Sequence, residues 1–163
     1  MESVDVINVY KLLQENGIEI WIDGGWGIDA LFGEQTRPHT DLDIAVARKD
    51  VEKLRSVLID YEDKPNEDST EWNFVLEDKK TLEIDVHVFE FNEKGHSIYG
   101  IEYPKQSLTG IGIINGQTVN CIAPEYVVKF HGNYEPKDKD LQDIRALCEK
   151  FHLDPPENYK NSL

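Results

Sequence analysis

The chain has 163 residues, 39% of them apolar, and sets 17 Lys and Arg against 32 Asp and Glu for a formal net charge of −15. That length and composition suit one core-forming domain over 1–163 and argue against disorder, while such a field repels nucleic-acid phosphates and favours cationic partners. Apolar runs are only of strand length and the opening MESVDVINVYKLL lacks a signal-peptide pattern, so neither nucleic acid nor membrane is an expected partner and the cytoplasm is the expected compartment.

Ser3 can cap a helix running to about Glu15, with Val6, Val9, Leu12 and Leu13 as its apolar stripe and Asn16-Gly17 as its stop. Residues 18–22 read as a strand, 26–33 as a short helix closed by Gly33, and 34–40 as a polar connection. A second strand is predicted over 41–47, an amphipathic helix over 49–60, and a turn-rich loop over 62–70. Residues 71–78 and 80–91 predict a hairpin turning at Asp78-Lys79, and IGIINGQTVNCIA another with Asn115-Gly116 at its turn. Pro124 suits the first turn of a helix, and a last helix over 138–152 ends before Pro155-Pro156. Cys121 and Cys148 show no ligand spacing and are expected as buried free thiols. The fold class is therefore α+β, a mixed sheet with helices and a small C-terminal helical part over about 124–152.

Alternate side chains of a strand share a face, so Asp41 and Asp43 point the same way. Two carboxylates held a few ångströms apart repel unless a cation lies between them, and a hard divalent ion suits an oxygen-only pair. TLEIDVHVF places Asp85 in an apolar strand, on one face with Glu83 and His87. If that strand lies beside DLDIAV, Asp85 completes a three-carboxylate cluster; alone it reads as the solvated face of a half-exposed strand. An EF-hand is excluded, because Val46 stands where that loop requires glycine.

Gly24-Gly25 follows a strand and opens a helix, where backbone N–H groups can receive phosphate oxygens and glycine permits close approach. A bare strand-to-helix turn is the plainer alternative. GWGIDA also matches the dinucleotide pattern G-x-G-x-x-A, but its helix is too short for a crossover and no second βαβ unit follows.

Glycine turn, short helix, Asp-x-Asp and later aspartate together resemble the polymerase-β-like nucleotidyltransferase superfamily. The longer string W-x-D-G-G-W-G-x-D-A-L-x-G-x-x-T-R-P-H-x-D-x-D, from Trp21 to Asp43, resembles the small antibiotic nucleotidyltransferases, above all the lincosamide O-nucleotidyltransferases and next the aminoglycoside 2''-nucleotidyltransferases. EIDVHVFEF and VVKFHGNYEPKDKDLQDIRALCEKF extend the likeness over most of the chain. The superfamily's common Gly-Ser is Gly25-Trp26 here, a change that the antibiotic-modifying branch shares.

That resemblance implies a polymerase-β-like fold, Mg²⁺ as cofactor, and a nucleoside triphosphate and an antibiotic as substrates. It makes Asp41 and Asp43 metal ligands and Asp85 the third carboxylate, as ligand, general base or both. His87 and Glu90 are weaker base candidates. Gly24, Gly25 and the Trp26 backbone would cradle the triphosphate, with Arg37, His39 and Lys139 as further phosphate contacts. An ion pair from Arg37 to Asp29 or Glu34, and a solvated helix end at Lys139, are the plainer alternatives. Tyr99, Tyr103, His131 and Tyr134 are candidate acceptor lining. The implied activity is nucleotidyl transfer to a lincosamide hydroxyl, which inactivates the drug; aminoglycoside O-adenylyltransfer, or an antitoxin or regulatory module on the same core, are the alternatives. A homodimer is expected.

Overall fold

The computed structural model describes residues 1–135 and 138–159, without the Lys139 side chain. Helix α1 (Ser3–Glu15) buries Val6, Val9, Tyr10 and Leu13. Its cap is one residue earlier than expected, because Glu2 and Asp5 form a reciprocal capping box. Strand β1 (Ile20–Ile22) leads into α2 (Gly24–Phe32), whose cap, Asp23, accepts from the Gly24 N–H, and whose end is Gly33 at φ 79°.

Strand β2 (Asp41–Ala47) follows, then a tight helical turn (Arg48–Asp50) and α3 (Val51–Val57). The helix expected over 49–60 is thus shorter, and Tyr61–Asp63 forms β3, an edge strand. Tyr-Glu-Asp has no apolar alternation; its pairing with β4 (Asn73–Asp78) defines it as strand. The expected hairpin of β4 with β5 (Glu83–Phe91) is present, and an unforeseen β6 (Ser97–Gly100) pairs with the far end of β5. A short helical segment (Lys105–Thr109) precedes the second hairpin, β7 (Gly110–Ile114) with β8 (Gln117–Cys121), turning through Asn115 and Gly116 at positive φ. Helices α4 (Pro124–His131) and α5 (Asp138–Phe151) form the C-terminal part.

The sheet runs β3-β4-β5-β2-β1-β8-β7, with β6 on β5. It is mixed: β2 runs parallel to β5, β1 parallel to β8, and the other pairs are antiparallel. Leu42, Ile44, Ile84 and Val86 are buried in its centre beside α1 and α2 residues of the same core. Both cysteines are buried and free, as expected. Among the described residues no helix is long and apolar enough to cross a membrane.

Candidate active site

The parallel pairing of β2 and β5 sets Asp41 opposite Glu83, Asp43 opposite Asp85 and Ala45 opposite His87. Neighbouring strands lie about 4.8 Å apart, so two carboxylates in register must meet. One ligand atom each of Asp43, Asp85 and His87 lie within 4.8 Å of one another. Asp41 shares their strand face and lines the same cleft, outside that close group. The Asp85 Oδ1 atom is buried with no hydrogen-bond partner, and an orphaned anionic oxygen of this kind fits a bound cation.

Asp23, which the sequence reading passed over, stands behind this group. It joins β1 to α2, and its N–H donates to the Asp43 carbonyl at 2.9 Å. Its carboxylate accepts from Gly24 N–H at 2.8 Å and from the Tyr103 hydroxyl at 2.7 Å. A carboxylate between a strand and a glycine pair was the available signal, since that is the helix-cap position. Burial raises the Asp23 pKa, but His87, Tyr103 and the Gly24 N–H outweigh it, and the net shift is downward. Burial likewise opposes charge on His87, yet the nearby Asp23 and Asp85 carboxylates push it up to about 10. That rise favours the protonated ring, a poor starting point for a general base. Burial lifts Asp43 to about 7; His87 pulls it down while Asp23, Asp41 and Asp85 add to the rise.

The first turn of α2 faces the same cleft through Gly24 and Gly25. Gly24 has φ 55°, and a Cβ there would overlap the Asp43 carboxylate. A Cβ on Gly25 would meet His39 Nδ1 and the Arg37 guanidinium. Both glycines are thus required by close approach of the site's own side chains, and they leave N–H groups of Gly25 and Trp26 without helical carbonyls. The Trp26 ring is buried and packs 4.7 Å from His39, so only its backbone can serve a phosphate.

His39 does not stand free as a phosphate contact. It is buried, with Nε2 2.5 Å from Asp29 Oδ2 and Nδ1 3.1 Å from Arg37 Nη1. Asp29 is also buried and accepts from the Thr36 N–H at 3.0 Å. His39 is therefore a strut that holds the 34–40 loop and props Arg37. Arg37 pairs with neither Asp29 nor Glu34 as the plainer reading had it; its Nη2 and Nε lie 3.1 and 3.3 Å from Asp143 Oδ2 on α5. Asp140 and Asp143 are buried, beside Ile144 and Leu147 on the same helix. Acids at helical spacing on an apolar stripe were the missed signal.

The resulting cleft is about 550 Å³. Its floor is Asp41, Asp43 and His87, and its far wall is Val127, Phe130, His131, Tyr134, Asp140 and Asp143. Of the four candidate acceptor residues, His131 and Tyr134 line it. Tyr103 is buried behind it as a support for Asp23. Tyr99 stacks under Arg48, whose guanidinium also pairs with Glu90 at 3.0 Å, so Tyr99 and Glu90 belong to a surface network away from this cleft. Lys139 belongs to α5, and its side chain lies outside the described residues.

Carboxylates on parallel strands beside a glycine-opened helix define a nucleotidyltransferase of the polymerase-β-like class. Residues 5–147 match the family model of aminoglycoside-2''-adenylyltransferases, and the chain belongs to that family. It is 27% identical over 154 residues to a lincosamide resistance protein of Staphylococcus haemolyticus, covering 88% of this chain and 92% of the relative. A 2''-aminoglycoside nucleotidyltransferase of Escherichia coli is 26% identical over 160 residues, covering 91% of this chain and 88% of the relative. Among solved structures, the lincosamide antibiotic adenylyltransferase LnuA, lincomycin-bound, superposes with a TM-score of 0.73 at 23% identity, over 87% of this chain and 93% of that one. ANT(2'')-Ia in complex with adenylyl-2''-tobramycin gives 0.76 at 19% identity, over 91% and 88%.

Proposed function

We propose that the chain transfers a nucleoside monophosphate from a nucleoside triphosphate to a hydroxyl of a lincosamide. The observation that carries this is the in-register pair Asp43–Asp85, with its orphaned Oδ1, beside the open first turn of α2. Asp41, Asp43 and Asp85 would hold Mg²⁺, which when bound supplies charge neutralisation for the phosphates. The N–H groups of the α2 turn and the Arg37 guanidinium bind the β- and γ-oxygens. The acceptor oxygen forms a bond to the α-phosphorus, the bond to the β-phosphate oxygen breaks, and pyrophosphate leaves. Asp85 takes the hydroxyl proton.

The character of the far wall favours a lincosamide over an aminoglycoside. Its Val127, Phe130, His131 and Tyr134 suit an amphipathic acceptor with a single basic amine, and of its two carboxylates, Asp140 and Asp143, the second is engaged by Arg37. The S. haemolyticus relative and the lincomycin-bound neighbour support the same choice. The test is mass spectrometry of lincomycin and of kanamycin after incubation with protein, Mg²⁺ and mixed triphosphates. Nucleotidyl-lincomycin is expected, its added mass naming the base, with no product from Asp85→Asn. Modified kanamycin beside untouched lincomycin overturns the acceptor assignment, and neither product overturns the activity.

A further inference from the structure

His87 is the one member of the close ligand group that the three-carboxylate scheme leaves without a task. It shares its strand face with Asp85 and is registered beside the small Ala45 of β2. Its Nδ1 is 3.2 Å from the Tyr103 hydroxyl oxygen. That hydroxyl donates its own hydrogen to Asp23 Oδ2 at 2.7 Å, so toward His87 it can only accept. Nδ1 therefore carries a hydrogen in either protonation state, and Nε2 is the atom turned toward Asp85.

Nε2 lies 3.5 Å from Asp85 Oδ1, the oxygen with no hydrogen-bond partner. A separation that long is a poor hydrogen bond. It is an ordinary distance between two ligands of one metal, since bonds of roughly 2.0–2.2 Å place neighbouring ligand atoms about 3–4 Å apart. Metal-bound histidines characteristically have the other ring nitrogen held by a carboxylate, directly or through a second group. Tyr103 and Asp23 provide that arrangement here.

We propose that Asp43, Asp85 and His87 form a mixed oxygen–nitrogen metal position that accepts a transition cation such as Mn²⁺, with His87 Nε2 as a direct ligand. Imidazole suits borderline transition ions, whereas Mg²⁺ takes oxygen. Binding displaces a proton from Nε2 to solvent. Asp23 and Tyr103 are positioning residues, acting on the metal only through His87. The inference rests on the reading that these carboxylates hold a metal, and its test needs neither nucleotide nor acceptor.

The experiment is pulsed electron paramagnetic resonance on the full chain loaded with Mn²⁺ alone. Electron-spin-echo modulation from a directly bound nitrogen is expected, and its pattern should change when the protein is grown with isotope-labelled histidine, a readout that requires no variant. His87→Gln should remove the signal, and Tyr103→Phe should keep it while Mn²⁺ affinity falls on the order of tenfold. Mn²⁺ bound without nitrogen modulation, or bound by His87→Gln as tightly as by the parent chain, overturns the assignment even if lincomycin is still modified. Absence of Mn²⁺ binding overturns it as well. Loss of transfer with the nitrogen signal intact overturns the proposed function instead.

Discussion

Gly24→Ala separates two effects that the glycine turn combines. The residue has φ 55°, so any side chain adds a left-handed backbone cost of about 1–2 kcal/mol. For a domain of this size that is a fall in Tm of roughly 2–8 °C. The new Cβ also overlaps Asp43 Oδ2, so the carboxylate must swing away from Asp85. A displacement near 1 Å at a reacting centre costs on the order of 100-fold in rate. Gly33→Ala is the control, because φ is 79° there and an added Cβ meets nothing within 4 Å. Thermal unfolding should therefore show Gly24→Ala destabilised at least as much as Gly33→Ala, and single-turnover transfer should slow only in Gly24→Ala. Equal activity in the two variants, or an equal loss, refutes the contact with Asp43 as the reason for glycine.

Asp29→Ala removes the partner of buried His39 and of the Thr36 N–H. Leaving a buried donor unsatisfied costs about 1–3 kcal/mol, so Tm should fall by roughly 2–12 °C, and an unchanged melt would refute the strut. Arg37→Met should raise KM for the triphosphate about tenfold or more, since hydrogen bonds to charged groups are worth roughly 1.5–3 kcal/mol. An unchanged KM would assign Arg37 to α5 docking alone. In chelator the stability should decline as pH rises. Asp43, lifted from 3.8 to about 7, binds a proton in the native state that the unfolded chain has released, so stability falls across that interval. His87, lifted from 6.5 to about 10, gives stability that is complete below the lower value and lost as pH rises through the upper one. Asp43→Asn should flatten the lower part of the Tm profile and His87→Gln the upper; a Tm that rises from about pH 5 to about pH 9 in chelator contradicts both assignments.

Local chemistry is what the sequence settled. Alternation put Asp41 with Asp43 and Asp85 with His87, positive-φ glycines ended α2 and formed the second hairpin turn, and the string from Trp21 to Asp43 pointed to the class. Those features depend on neighbours a few residues away. Pairing partners do not: the parallel register that brings Asp43 to Asp85, and the strands β3 and β6, exist only through contacts distant along the chain. Charged side chains show the same division. Arg37 and His39 were legible as polar residues near the aspartates, but only the fold chose Asp143 on α5 for one and buried Asp29 for the other. A charge takes the partner that desolvation makes necessary, and desolvation is a property of the assembled core.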